Sequence, residues 1–159
     1  MATPTSLYGA WQFVHPDAAT NEVLGIKLSP LTHGIQLVYG TDSVEQALLI
    51  LLTTTPGERV MRPQYGCQLH RLIFAPNDAT TAGLAIHYVR SAIEQWEPRI
   101  EIVELDANPV SATDTNAVLQ AQSSSDTDSL LEIRLVYRIR LTQQVEVLSF
   151  MFNLMGEGS

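Results

Sequence analysis

Apolar residues recur at the spacing of a helix face in two segments of the chain. In the first, residues 42–52, they fall at positions i, i+3, i+4, i+7 and i+8, which predicts an amphipathic helix. Asp42 can cap its start, since Glu45 follows as in a capping box. The second helix begins near residues 77–78 and is stopped by Pro98. The predicted apolar stripes are Val44, Ala47, Leu48, Leu51 and Leu52 in the first helix, and Ala82, Ala85, Ile86, Val89, Ala92, Ile93 and Trp96 in the second.

The other periodic segments alternate apolar and polar residues, as half-buried strands do. Residues 131–141 alternate most clearly, with arginines on the second face, and residues 145–154 form the last strand after a turn at 142–144. Shorter strands are predicted at 24–28, 34–39 and 99–105. The predicted fold class is therefore α+β, with two main helices packed on a small, mainly antiparallel sheet and a C-terminal β-hairpin.

The segments without a clear helix or strand pattern indicate how the chain is organised into domains. Residues 1–23 are aperiodic and are interpreted as an N-terminal arm, and residues 24–159 as a single domain. Within this domain, residues 107–129 are polar and rich in Ser and Asp, which predicts an exposed loop. The last strand is apolar on both faces. We expect a neighbouring strand or a partner protein to cover it, because an exposed apolar edge pairs with other chains.

Composition excludes several classes of binding partner and of cellular compartment. The formal net charge is −8, and so acidic a chain is a poor ligand for nucleic acid or an anionic membrane, because both are polyanions. Cys67 is the only cysteine, which excludes an internal disulfide and fits a reducing compartment. Residues 1–10 lack the basic start and apolar run typical of a signal peptide, and no apolar run approaches the roughly 20 residues of a membrane span. We therefore expect a soluble protein made in the cytoplasm, without direct membrane insertion.

Candidate catalytic and metal-ligating residues are few. Cys67 and His70 could form a thiol–imidazole pair or begin a zinc site, but zinc needs about four ligands and no further Cys or paired His lies nearby. Glu58 and Glu97 are the candidate carboxylates of a glycosidase. Each has an arginine close in sequence, which we expect to keep it ionised and paired, whereas a general acid needs an apolar environment. The chain is therefore predicted not to be an enzyme and to hold no metal or cofactor.

The segment from Trp96 to Ile100 joins the second helix to the following strand. Pro98 makes a rigid corner, and in extended backbone residues 97 and 99 point to the same side. A carboxylate and a guanidinium are thus presented together, with Trp96 behind them. The pair is either a docking element for a partner or an internal salt bridge that locks helix to strand, and the residues alone leave both interpretations open.

Several short motifs in a fixed order carry a resemblance to a known family. They are Leu51-Leu52-Thr53, Pro56-Gly57-Glu58-Arg59-Val60-Met61-Arg62-Pro63, Tyr65-Gly66-Cys67, Phe74-Ala75-Pro76-Asn77-Asp78 and Trp96-Glu97-Pro98-Arg99-Ile100. This ordered set resembles the baseplate wedge subunits of contractile phage tails, which have relatives in type VI secretion systems and extracellular contractile injection systems. The resemblance runs from about residue 24 to the C-terminus.

The resemblance implies a structural subunit that docks to the wedge core bundle and nucleates sheath assembly. It places core-bundle docking at Glu97, Pro98 and Arg99, and we expect Trp96, behind them, to take part. We also expect the stretch after the first predicted helix to be an assembly loop on the same surface, comprising Pro56, Gly57, Glu58, Arg59, Arg62, Tyr65 and Gly66. The resemblance further implies sheath contact, which we expect to occur by strand addition, at Val145, Val147, Leu148, Phe150 and Phe152. The implied partners are other baseplate wedge proteins and sheath subunits, with tube or spike-hub proteins as further candidates and no nucleic acid.

Two other functions remain open. The family has been described as lysozyme-like, so the alternative is a peptidoglycan hydrolase of a tail baseplate that uses Glu58 and Glu97. A stand-alone regulatory adaptor with a similar fold would be a monomer that never co-purifies with sheath.

Overall fold

The computed structural model of the chain describes residues 9–14, 25–26, 35–110 and 129–156. The chain divides into two compact units, residues 1–50 and 51–159. The predicted arm at 1–23 and domain at 24–159 stay predictions, because most of the arm lies outside the described residues.

The first unit contains short strands and the start of a helix. Its elements are β1 (Gly9–Trp11), β2 (Phe13–Val14), β3 (Gly25–Ile26), β4 (Leu37–Tyr39) and helix α1 (Thr41–Thr53), within which the division at residue 50 falls. β1 pairs with β4 and β2 pairs with β3, both antiparallel. The strands β3 and β4 confirm the two extended pieces predicted before the first helix.

One side chain ties α1 to the first two strands. Gln46 donates from Nε2 to the carbonyl of Trp11 at 2.7 Å, and its Oε1 accepts the N–H of Phe13 at 3.0 Å. The amide of Gln46 thus bonds the backbone on both sides of Gln12, as a neighbouring strand would.

Helix α1 differs from its prediction at one end. It begins at Thr41, so Asp42 lies in its first turn rather than at the cap, where its carboxylate still favours the positive end of the helix dipole. The predicted stripe is confirmed: four members are buried and Ala47 is half-buried. The buried four are Val44, Leu48, Leu51 and Leu52.

The second unit holds one sheet and the longer helix. Its elements are a 3-10 helix η1 (Gln68–Leu72), helix α2 (Ala79–Trp96) and strands β5 (Ile100–Pro109), β6 (Leu130–Ile139) and β7 (Val145–Asn153). The strand order is β5-β6-β7, with antiparallel pairing throughout. The predicted α+β class and the C-terminal hairpin are confirmed. No helix or strand was predicted between the two main helices, so η1 was missed.

Helix α2 begins where the sequence predicts. Asp78 is its N-cap, and its carboxylate accepts the N–H of Thr81 at 2.8 Å. That hydrogen bond to the ionised form lowers the pKa of Asp78 below its usual value. The apolar stripe is buried except for Ile86 and Trp96, which are half-buried.

The core of the second unit is the inner face of the sheet. The alternating residues of β6 are almost fully buried, and α2 packs on β5 and β6. The buried set is Leu131, Ile133, Leu135, Tyr137 and Ile139, each at 2% exposure or less. Arg134, on the opposite face of β6, is exposed. The period-2 pattern therefore assigned both faces of this strand correctly.

Two strand ends were predicted wrongly. β5 does not stop at Leu105 but continues to Pro109, and Ala107 and Val110 are buried, so the loop predicted from residue 107 begins later. Proline is tolerated at position 109 because β5 is an edge strand of the described sheet. The nitrogen of Pro109 has no hydrogen to donate, and an edge strand does not need that hydrogen bond. Residues 111–128 lie outside the described part of the chain. Leu141 was assigned to a strand but lies in the hairpin turn, 52% exposed.

The loop between α1 and η1 closes on itself at a glycine. Gly66 has φ +130°, and a Cβ there would lie 2.3 Å from the carbonyl oxygen of Thr54. The next residue, Cys67, donates its N–H to that same oxygen at 2.9 Å. Only glycine allows both this backbone conformation and this close approach.

We predict that Gly66→Ala destabilises the chain by about 2 kcal/mol or more, because the new methyl group collides with backbone that cannot move aside. Gly57→Ala is the matched control. Gly57 also has positive φ, at +104°, but its Cβ would meet nothing within 4 Å. That substitution should cost only the backbone strain, about 1 kcal/mol. Urea unfolding of both variants measures the difference, and equal losses would contradict the steric explanation.

Candidate functional site

The corner between α2 and β5 is closed by an ion pair. The Nε and NH2 groups of Arg99 donate to the two carboxylate oxygens of Glu97 at 2.5 and 2.6 Å. Glu97 also caps the helix, since its N–H donates to the carbonyl of Ile93 at 2.9 Å. Its side chain is 8% exposed and that of Arg99 25% exposed. The expected juxtaposition of residues 97 and 99 is confirmed, and the pair makes the corner rigid.

The structure is therefore compatible with both interpretations of the ion pair, the docking element and the internal salt bridge. The carboxylate is nearly all internal, as an intramolecular lock requires, and a bidentate pair of this kind is stronger than a single contact. A quarter of the Arg99 side chain remains exposed, and Trp96 is half-buried. A partner can therefore reach parts of both residues, whereas the carboxylate of Glu97 is almost fully covered.

Glu58 does not have the partner that the sequence suggested. Its carboxylate accepts the N–H of Thr55 at 2.9 Å, and its own N–H donates to the carbonyl of Thr55 at 3.1 Å. The neighbouring guanidinium of Arg59 instead lies over the ring of Tyr65, 4.3 Å from the centroid. The predicted arginine pairing of Glu58 is wrong, because the tight turn after Pro56 places a free backbone donor closer than any cation.

The loop and the corner meet through two aromatic rings. Tyr65 and Trp96 have ring centroids 5.4 Å apart at an interplanar angle of 59°, a favourable tilted geometry. Burial raises the pKa of the Tyr65 phenol. Arg59 opposes this rise, Glu97 adds to it, and Arg99 and Arg62 oppose it. The phenol therefore senses the charges of both segments. We call Arg59, Arg62, Tyr65, Trp96 and Arg99 the corner surface.

Two hollows flank the corner surface. The larger, of about 460 Å³, lies between the loop and α2. The smaller, of about 400 Å³, is lined by Arg62, Pro63, Gln64 and Trp96. The larger hollow is lined by Pro56, Pro63, Gln64, Gly66, Gln68, His87, Tyr88, Ser91, Ala92 and Gln95. Neither lining contains a carboxylate. The helix side of the larger hollow was missed by sequence reasoning, although His87, Ser91 and Gln95 recur at helical spacing and could have indicated a polar face.

The remaining chemical candidates form no reactive group. Cys67 is buried, and burial raises the pKa of its thiol, which disfavours the nucleophilic thiolate. Nδ1 of His70 is buried without a hydrogen-bond partner. In residues 9–14, 25–26, 35–110 and 129–156, no three His, Cys, Asp or Glu side chains gather as metal ligands would. No helix in these ranges is both long and apolar enough to cross a bilayer.

The predicted contact residues of β7 divide between its two faces. Val145 and Val147 are 51% and 53% exposed, whereas Leu148 is 5% exposed and belongs to the core. Phe150 and Phe152 are half-buried. The structure thus places Val145 and Val147 where a partner can reach their side chains and places Leu148 where none can.

Comparison with known proteins gives the family. The model of the baseplate wedge protein gp25 family matches residues 38–144. The baseplate wedge protein gp25 of Enterobacteria phage T4 is 32% identical over 71 residues, which are 45% of this chain and 54% of that protein. The chain thus spans about half the length of that relative.

Two solved structures share the fold. One, from Geobacter sulfurreducens, is provisionally named a tail lysozyme. It is 31% identical, with a TM-score of 0.59, and the match covers 77% of this chain and 98% of that one. A subunit of the anti-feeding prophage baseplate is 22% identical, with a TM-score of 0.52 over 81% of this chain and 80% of that one. The family model covers well over half of the chain and includes both the loop and the corner, and the chain belongs to the baseplate wedge protein gp25 family.

Proposed function

We propose that this protein is a structural, non-catalytic subunit of the baseplate of a phage-tail-like contractile particle. In this role it docks to other wedge proteins through the corner surface and starts the sheath through β7. The contact between Tyr65 and Trp96 carries the proposal. It joins the two segments with the most specific family motifs into one rigid surface, which suits binding better than chemistry.

The charges of the corner surface favour docking. Arg59 and Arg62 are exposed, and Arg99 is partly so, while Glu97 is internal and already neutralised. An aromatic pair framed by guanidinium groups has the composition of an interface anchor, since Tyr, Trp and Arg dominate such anchors. Because the rings and the ion pair are already fixed, a partner loses little conformational entropy in ordering them.

The edge of the sheet favours a second contact. β7 has β6 on one side and no strand on the other within the described residues. Its exposed face carries Val145, Val147 and Met151, which are between 43% and 53% exposed. An apolar edge strand is a site for pairing with another chain. Sheath subunits are the proposed partners, with tube or spike-hub proteins as further candidates, and assembly is proposed to take place in the cytoplasm.

The hydrolase alternative has one point in its favour, the likeness to the provisionally named tail lysozyme. The positions of the two carboxylates count against it. Glu97 accepts two hydrogen bonds from Arg99, one on each carboxylate oxygen, so neither oxygen is free to contact a substrate. Glu58 holds the turn at Thr55. Neither lines the two hollows beside the corner surface.

We predict that exchanging the two charges, Glu97→Arg with Arg99→Glu, keeps the chain folded but prevents its incorporation into particles. The ion pair is kept while the exposed charge changes sign. Glu97→Arg alone should unfold more easily, by about 2–4 kcal/mol, because it leaves two cations at a mostly buried site. Urea unfolding and electron microscopy of particles from a complemented producer strain measure the two effects.

The matched control is the same exchange at a surface pair, Glu101→Arg with Arg138→Glu. These side chains lie 3.8 Å apart and are 58% and 40% exposed. This variant should form particles normally. Normal particles from the exchanged corner would remove the docking proposal.

We also predict that the purified chain does not clear a suspension of peptidoglycan, with hen egg lysozyme as the positive control. The reason is that Glu58 is bonded to the backbone of Thr55 and Glu97 to Arg99, so neither carboxylate is placed to reach a glycosidic bond. Turbidity measurements test this directly. Activity in the wild-type chain that disappears in Glu58→Gln or Glu97→Gln would replace the structural proposal with the hydrolase.

A further inference from the structure

Phe74 combines two features that a folded chain normally avoids. Its φ is +67°, in the left-handed region, which is unfavourable for a bulky residue. Its side chain is 82% exposed, so the ring gains almost nothing from burial. Asn or Gly would adopt this conformation more easily. Folding therefore gives no reason for a phenylalanine here, and strained residues of this kind cluster at functional sites.

Hydrogen bonds place Phe74 at one corner of the sheet. Its N–H donates to the carbonyl of Leu154, just beyond β7, at 2.6 Å. Further along the same segment, Nδ2 of Asn77 donates to the carbonyl of Leu130, at the start of β6, at 3.1 Å. The segment thus passes the ends of the two strands, with Phe74 at the outer one. Met155, beside Leu154, is 65% exposed.

The register of the hairpin shows which groups of β7 face outward. Ile139 donates its N–H to the carbonyl of Gln144, and Leu154 donates its N–H to that of Ser129, each at 2.9 Å. The pairing between these two points is unbroken. Because hydrogen-bonded pairs alternate in an antiparallel ladder, every second residue of β7 directs its backbone groups away from β6. These are Val145, Val147, Ser149, Met151 and Asn153.

We propose that Phe74 is the aromatic anchor for an apolar strand of a sheath subunit that adds to the free edge of β7. This inference rests on the strand addition proposed above and extends it. The added strand pairs with the outward backbone groups of β7 and ends at the turn of residues 153–156, where the outward carbonyl of Asn153 already accepts the N–H of Gly156 at 3.4 Å. Leu154, in this turn, accepts the N–H of Phe74, so the end of the added strand lies next to Phe74 and the exposed Met155. Contact with this end explains why an exposed ring is kept on strained backbone.

The variant Phe74→Asn tests the anchor, because relief of the backbone strain should raise stability while loss of the ring should lower the yield of particles. Asn relieves the backbone strain, so the midpoint of thermal unfolding should rise by about 3 °C. The yield of sheathed particles from a complemented producer strain should fall about tenfold or more, as for other interface anchors. Phe74→Tyr keeps the ring and should give the wild-type yield. Leu84→Gln removes another exposed apolar side chain, 42% exposed on α2, and should also give that yield.

A second variant, Ser149→Pro, separates the anchor from the strand addition. Proline removes one outward N–H, and edge strands tolerate it. Particle loss in both Ser149→Pro and Phe74→Asn supports the anchor. Loss only in Ser149→Pro overturns the anchor and keeps strand addition, whereas normal particles from both overturn both. A lower unfolding midpoint in Phe74→Asn would also overturn the anchor, since it would show that the ring serves folding.

Discussion

The buried ion pair between Glu97 and Arg99 holds the joint around which the second unit is built. Two hydrogen bonds connect the side chains, and breaking them would leave a charge without its partner at a mostly buried site. The backbone of the same corner extends this restraint to the hairpin. Arg140 donates its N–H to the carbonyl of Arg99 at 2.9 Å and its Nε to that of Ile100 at 3.1 Å. Helix, strand and hairpin turn are thus held at one point.

Rigidity at this joint suits the proposed role of the second unit in binding other subunits. Tyr65 packs against Trp96, and Gly66 allows the loop backbone to close on Thr54. The inner face of the sheet supplies the stability, which leaves the edge of β7 available for a partner. Phe74, exposed on strained backbone, is the proposed anchor next to the end of that edge. The proposed role in assembly therefore requires what the architecture provides: a rigid, buried sheet face and exposed residues at the edge of β7.

Much of this architecture follows from local sequence. The cap at Asp78 and the stop at Pro98 bound α2 because each acts within a few residues of its own position. The alternation of β6 assigned its two faces, since a strand repeats every two residues. The family was also recognised from the order of its motifs, and the match over residues 38–144 confirmed it. Apart from the missed η1, the errors in the elements lay at their ends, as at Leu105, where pairing with β6 carries the strand through residues typical of turns.

The sequence by itself thus determined the helices, the strands of the second unit, the family and the pairing of Glu97 with Arg99, because these depend on neighbours along the chain. Only the tertiary structure decided that Tyr65 lies against Trp96, that Leu148 is internal while Val147 is exposed, and that Phe74 adopts a left-handed backbone. These outcomes depend on contacts between segments distant in sequence, where packing and strand pairing override local preference.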